Sequence, residues 1–208
     1  LIYCAISGFG QDGPLRDLPA YDQIIQGMSG VMSITGAPEN APYRVGYPMA
    51  DTIGGITAAF AVAAALADRN RTSGTFIDVS MLEAVMATMG WAVSNHLIAG
   101  REPKPMGNEN VTASPSGTFQ TQDGLLNIAA NKQEQFEAVC HVVGLPQLIA
   151  DERFHERQSR LQNRAELKAL LEEAMSTKTT EEWWKLFNRA GVPAGPVYSV
   201  PQALDHPQ

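Results

Sequence analysis

The sequence predicts an α/β layer followed by a smaller α+β unit, and three observations carry that reading. Two apolar stretches, Leu1-Ile-Tyr-Cys-Ala-Ile-Ser and Thr75-Phe-Ile-Asp-Val, read as strands separated by two helical patterns. A third helical pattern follows the second strand at once, and the order strand, helix, helix, strand, helix fits an α/β layer. Beyond residue 116 the texture changes to a β-hairpin and three amphipathic helices.

The first strand runs into Gly8-Phe-Gly-Gln-Asp-Gly13, which formally matches G-x-G-x-x-G. A dinucleotide site is rejected because the third glycine must lie within a following helix, whereas Pro14 and Pro19 keep this segment irregular. Tyr21-Asp22 opens a helix with Ile24, Ile25, Met28 and Val31 on one face, stopped near Gly36, with Asp22 as its expected cap. Residues 37–46 form a Pro/Gly/Asn loop. Asp51 to Ala67 is mostly Ala, Gly, Val and Ile, a composition that predicts a helix buried on all sides. After the second strand, Ser80-Met-Leu-Glu83 is a capping box opening a helix to about Ala99. Gly100 to Ser116 carries three prolines and no periodicity, so a linker or functional loop is expected.

In the second half, Gly117-Thr-Phe-Gln, a turn at Gln122-Asp-Gly124 and Leu125-Leu-Asn-Ile-Ala make a hairpin. Helices are expected near Glu134 to Val143, Arg164 to Met175 and Glu181 to Ala190, the last opened by the Thr179-Thr-Glu-Glu182 capping box. The domain organisation read from this is 1–100 as part of a large α/β domain, 101–116 as linker, 117–190 as a small α+β domain, and 191–208 as a segment returning to the large domain. The chain opens on a strand without an initiator Met and closes on what reads as a helix cut short, the pattern of a piece of a longer protein.

Composition narrows the function classes. With 208 residues the chain is long enough for a real core. A formal charge of −7 and no Lys/Arg cluster argue against a nucleic-acid surface. The longest apolar run, Ile56 to Ala67, is too short for a bilayer, so no membrane partner is expected. Cys4 and Cys140 lie in apolar patterns and read as buried free thiols, which suits a reducing cytoplasm.

The residue that invites chemistry is Asp51, in Tyr47-Pro-Met-Ala-Asp-Thr-Ile-Gly-Gly. A plain N-cap is the simpler reading of an Asp ahead of an apolar helix. A carboxylate there also sits at the favourable end of the helix dipole, beside backbone N–H groups able to hold an oxyanion. Gly54 and Gly55 each weaken the helix by roughly 1 kcal/mol relative to Ala, which suggests close approach by another group.

Five separated segments then coincide with one family: Leu1 to Pro14, Tyr21 to Gly30, Met49-Ala-Asp-Thr-Ile-Gly-Gly55, Phe76-Ile-Asp-Val-Ser-Met81 and Gly191-Val-Pro-Ala-Gly-Pro196. On these the chain resembles the family III CoA-transferases, the group that includes formyl-CoA transferase and carnitine CoA-transferase. The resemblance implies a partial Rossmann-like large domain followed by the smaller α+β domain, in interlocked homodimers. It implies that Asp51 is the nucleophile, acylated by an acyl-CoA and passing CoA to a carboxylic acid through anhydride and thioester intermediates, with coenzyme A as substrate and no metal or other cofactor. It implies that Pro19, Ala20, Tyr21 and Asp22 line the CoA and acyl site and that Met81 touches CoA.

Two departures bear on specificity. Racemases of the same family place a histidine before the acid of the Tyr21-Asp22 motif; here that position is Tyr21, and His96, His141, His155 and His206 fall elsewhere. Racemisation is therefore the runner-up. No glycine run occurs in Met106 to Gly117, where formyl-CoA transferase has one over its active site, so formate and oxalate are set aside in favour of larger dicarboxylates such as succinate. Arg44 is a candidate partner for a distal carboxylate. A third reading is a non-catalytic CoA-binding fragment.

Overall fold

β1 (Ile2–Ser7) leads through a glycine loop to α1 (Asp22–Met28) and a 3-10 turn at Val31–Ile34, then α2 (Met49–Ala67) and β2 (Thr75–Ser80). The computed structural model describes residues 1–208, which divide into two units, 1–107 and 108–208. In the first, β1 and β2 pair in parallel with Ile2 opposite Thr75 and Ser7 opposite Ser80. Parallel neighbours require a crossover, which α1 and α2 provide. α2 lies against both strands and against α3 (Met81–Thr88).

Three expectations need correction here. α2 is not buried on all sides: only Met49, Ala50, Gly54 and Ala58 are, while Ile56, Phe60 and Leu66 are 65%, 76% and 66% exposed. A two-stranded layer offers α2 one narrow surface, and a stripe of small residues fills it. The apolar segment is also longer than Ile56 to Ala67. At 19 residues and a mean hydropathy of 1.6, α2 is long and apolar enough by length and composition to cross a membrane; here it is the crossover helix of the layer. Finally, the helix after β2 does not run unbroken to Ala99. It stops at Thr88, and α4 (Trp91–Ala99) starts anew after Gly90, whose φ of +44° and ψ of −106° no helix accommodates.

The second unit is built around β3 (Ser116–Gln120) and β4 (Leu125–Ala129), an antiparallel hairpin with Phe119 opposite Leu126. α5 (Gln133–Val142), a 3-10 turn at Pro146–Ile149, α6 (Arg157–Gln162), α7 (Arg164–Met175) and α8 (Thr180–Arg189) follow. Their apolar faces close over Phe119, Leu126, Phe136, Phe154, Leu167, Leu171, Trp183 and Phe187. β5 (Ala194–Pro196) pairs antiparallel with β4, Ile128 opposite Ala194, and α9 (Val200–Leu204) ends the chain. The segment 191–208, expected to return to the large domain, falls within the second unit, where β5 extends the hairpin sheet. Gly191, at φ +76°, turns the chain from α8 straight back along the free edge of β4. The boundary between units falls at Gly107, inside the stretch expected to be linker. Residues 109–116 are structured, with the Asn110 N–H donating to Ser116 O at 2.9 Å.

Candidate active site

Three segments meet around the carboxyl ends of β1 and β2. The first is the loop after β1. Gly8 packs so tightly on Ala20 that a Cβ there would lie 2.4 Å from the Ala20 Cβ, and Gly8 O accepts the Leu82 N–H at the start of α3. Gly10, at φ +87°, takes the loop over Asp78, whose Oδ2 accepts the Gln11 N–H at 2.7 Å. The glycines thus serve chain packing and a turn, as the rejection of a dinucleotide fingerprint requires.

The second segment is the start of α1. Pro19 and Tyr21 are exposed, Tyr21 at 81%, and Ala20 is half-buried against Gly8. Asp22 is not the cap of α1: that position is Tyr21, which makes no side-chain capping bond. Instead Asp22, 8% exposed, accepts the Ala50 N–H on Oδ1 at 2.7 Å and the Gln26 Nε2 on Oδ2 at 2.8 Å. It caps α2 from the side.

The third segment carries Asp51. α2 starts at Met49 after Pro48, whose ring offers no acceptor for the first N–H groups, so Asp51 is the third residue of the helix and not its N-cap. Its side chain is exposed, and no group of the chain donates to its carboxylate. Thr52 bonds back to Pro48 O through both its N–H and its hydroxyl, at 3.1 and 2.8 Å. A carboxylate held at a fixed helical position with both oxygens free is what nucleophilic attack requires.

Gly54, one turn on, faces Met81: a Cβ on Gly54 would come within 3.0 Å of Met81 Cγ. Met81 is half-buried and packs with the small core of Ile25, Val31, Met49, Ala50 and Val85. The group whose close approach was expected at Gly54 is therefore Met81 of α3. Gly55 faces open space. Of the residues proposed from sequence, the structure thus brings Ala20, Asp22 and Met81 into the same small region as the start of α2. Arg44 is exposed on the preceding loop. His96 lines a separate cavity of about 380 Å³ with Met86 and Met89, and His141, His155 and His206 lie in the second unit.

Sequence reading missed Gln26. It is fully buried, and its carboxamide reaches Val45 N–H, Tyr47 O and Asp22. The available signal was its spacing four residues after Asp22, the i,i+4 Asp/Gln pairing of a helix face.

The profile of CoA-transferase family III matches residues 1–208. The chain belongs to that family. It is 41% identical over 210 residues to the acetyl-CoA:oxalate CoA-transferase of Acetobacter aceti, covering 100% of this chain and 54% of that protein. To the succinyl-CoA:glutarate CoA-transferase of Mus musculus it is 37% identical, covering 100% of this chain and 48% of the relative. Among solved structures, a CAIB/BAIF family protein from Brucella suis superposes with a TM-score of 0.89 at 36% identity, covering 100% of this chain and 55% of that one. The family III chain described here spans about half the length of the curated relatives it matches.

Proposed function

We propose that the protein carrying this chain is an acyl-CoA:carboxylate CoA-transferase with Asp51 as the covalent nucleophile. The observation that supports it best is a family III chain whose one exposed, unbonded carboxylate at the entry of α2 is Asp51. An Asp51 oxygen attacks the thioester carbonyl of the donor, the C–S bond breaks, and CoA leaves as thiolate. The thiolate attacks the aspartyl carbonyl of the resulting mixed anhydride, releasing the donor carboxylate and leaving an aspartyl-CoA thioester. The acceptor carboxylate attacks that thioester, expelling the thiolate and forming a second anhydride. Attack of the thiolate on the acceptor's acyl carbon gives the new acyl-CoA and restores Asp51. Every step exchanges one acyl group between an oxygen and a sulfur nucleophile, so the scheme asks for no metal and no redox cofactor.

Pro19, Ala20 and Tyr21 are proposed to wall the acyl and CoA site, and Met81 to support it through Gly54. The acids are proposed to be small dicarboxylates, because relatives carry the names of oxalate and glutarate transferases. Oxalate returns to the candidates on that ground, since a 41% identical relative bears its name. A homodimer in the cytoplasm completes the proposal, carried by the family resemblance alone. Racemisation is disfavoured because the residue before Asp22 is Tyr21, which leaves the acid without an adjacent imidazole.

The test is transfer itself. Full-length protein is incubated with acetyl-CoA or succinyl-CoA and a panel holding oxalate, succinate and glutarate, and new thioesters are read by mass spectrometry. Asp51→Ala is expected to lose turnover while keeping its circular dichroism spectrum. Transfer persisting in that variant would remove Asp51 from the chemistry.

A further inference from the structure

Pro48 leaves the first turn of α2 without a local cap, and the cap arrives from another helix. Asp22 and Gln26 stand one turn apart on the buried face of α1 and together grip three points of the chain leading into α2. Gln26 Oε1 accepts the Val45 N–H at 2.8 Å, its Nε2 donates to Tyr47 O at 3.3 Å, and Asp22 Oδ1 accepts the Ala50 N–H at 2.7 Å. The link between them, Gln26 Nε2 to Asp22 Oδ2 at 2.8 Å, makes the two side chains one strut. Neither is open to solvent beyond 8%, so both oxygens of Asp22 are committed to the chain.

A local cap would tie the helix start to its own loop. A cap from α1 ties it to Tyr21 as well, because Asp22 follows that residue directly. The strut therefore fixes where Asp51, one residue beyond Ala50, stands relative to the proposed substrate wall.

We propose that Asp22 and Gln26 are positioning residues that aim Asp51 through the backbone of residues 45–50, and that Asp22 does not itself contact substrate. The inference rests on the Asp51 reading. Displacements near 1 Å at a reacting group cost on the order of 100-fold in rate. Asp22→Asn sets a carboxamide N–H against the Gln26 amide, two donors face to face, and Gln26→Leu frees Val45 N–H and Tyr47 O. The double variant Asp22→Asn/Gln26→Glu reverses the polarity of the central link while keeping acceptors for Ala50 and Val45.

In full-length protein, kcat for CoA transfer and the rate at which hydroxylamine traps an adduct on Asp51 are measured for all four proteins, with thermal midpoints. Both single variants are expected to lose about 100-fold in kcat and in the trapping rate, with KM for the donor within about threefold, and the double variant to recover at least tenfold of each. Single variants that melt earlier yet keep kcat would reduce the strut to a stability element. A rise in donor KM for Asp22→Asn with kcat unchanged would make Asp22 a substrate contact. Absence of an Asp51 adduct in the unaltered protein while it turns over would remove the Asp51 reading itself, and the strut's role with it.

Discussion

At the residue scale the two adjacent glycines of α2 show how little a residue type reveals without its neighbours. Gly54 and Gly55 read alike in sequence, as softening of a helix start. In the fold a Cβ on Gly54 would lie 3.0 Å from Met81 Cγ, whereas one on Gly55 would meet nothing within 4 Å. Gly55→Ala is therefore expected to stabilise the first unit by about 0.5–1 kcal/mol through helix propensity alone. Gly54→Ala carries the same gain against an overlap with Met81 that costs typically 1–3 kcal/mol, so it is expected to be neutral to destabilising. Urea unfolding of the two variants checks the difference, and equal midpoints would contradict it. Asp51 was legible as a candidate because its place near the start of an apolar helix and the glycines that follow it are local signals. Asp22 could be named as a site candidate, but its bond to Ala50 could not be foreseen, since a contact from residue 22 to residue 50 has no local signature. A cysteine gives a pH-dependent counterpart. Burial pushes the Cys140 thiol up to about 12, so its contribution is present below the ordinary thiol range and is lost as pH rises from about 9 toward 12. Alkylation of Cys140 by iodoacetamide at pH 8 is expected to require unfolding; labelling at the rate of a free thiol would contradict that.

Among the elements, capping boxes and hairpin turns were the most readable features. Ser80 accepts the Glu83 N–H, one half of the expected box, Thr179 and Glu182 form their reciprocal pair, and the strand pairing around Gln122 to Gly124 follows the turn residues. The break at Gly90 was not, because a single glycine within an apolar pattern is tolerated in most helices. Nor was the order in residues 109–116. There Arg157 and Arg160 of α6 and Arg164 of α7 reach alternate carbonyls of the bent chain. Arg164 reaches Asn110 O at 3.0 Å, Arg157 reaches Thr112 O at 2.7 Å, and Arg160 reaches Ser114 O at 3.0 Å. Lys168 extends the row with a 2.7 Å pair to Glu109. Sequence composition marked this stretch as linker because its order comes from residues 45 to 59 positions away. Arg160 is buried, also holds the carbonyls of Phe154 and His155, and stacks over Phe136 at 4.2 Å. Arg160→Met leaves those carbonyls unpaired and is expected to destabilise the second unit by about 3 kcal/mol, against at most about 1 kcal/mol for the exposed Arg157→Met. Thermal melts followed by tryptophan fluorescence would register the gap; equal losses would sink the ladder's proposed hierarchy.

For the whole molecule, the two units are unequal in what holds them. The second closes a core of large aromatic and aliphatic side chains, whereas the first buries a few residues around Ile25 and Val85 beneath a two-stranded layer. Amides of β4, α5, α7 and α8 are accordingly expected to exchange with deuterium more slowly than those of β1 and α2. The second unit carries acid-sensitive surface bonds. The Thr180 N–H and hydroxyl hold Asp123 below the usual carboxylate range, Arg153 draws Asp151 down to about 2, and the Thr179 N–H lowers Glu182. Folded values below the unfolded ones mean that these contributions are present above the ordinary carboxylate range and vanish as pH falls through it toward 2. The mixed α/β class and the helices α5, α7 and α8 could be read from periodicity, a local property, whereas the short α6 was missed. The pairing of β5 with β4 could not be read that way, because it joins residues 126–128 to residues 194–196 and a contact over that separation leaves no local signature.

The central claim is that Asp51 becomes covalently acylated. Full-length protein incubated with acyl-CoA, reduced with borohydride and digested should yield a peptide in which the Asp51 carboxyl has become an alcohol, with every other carboxylate unchanged. An intact Asp51 in protein that is actively transferring CoA would contradict the account.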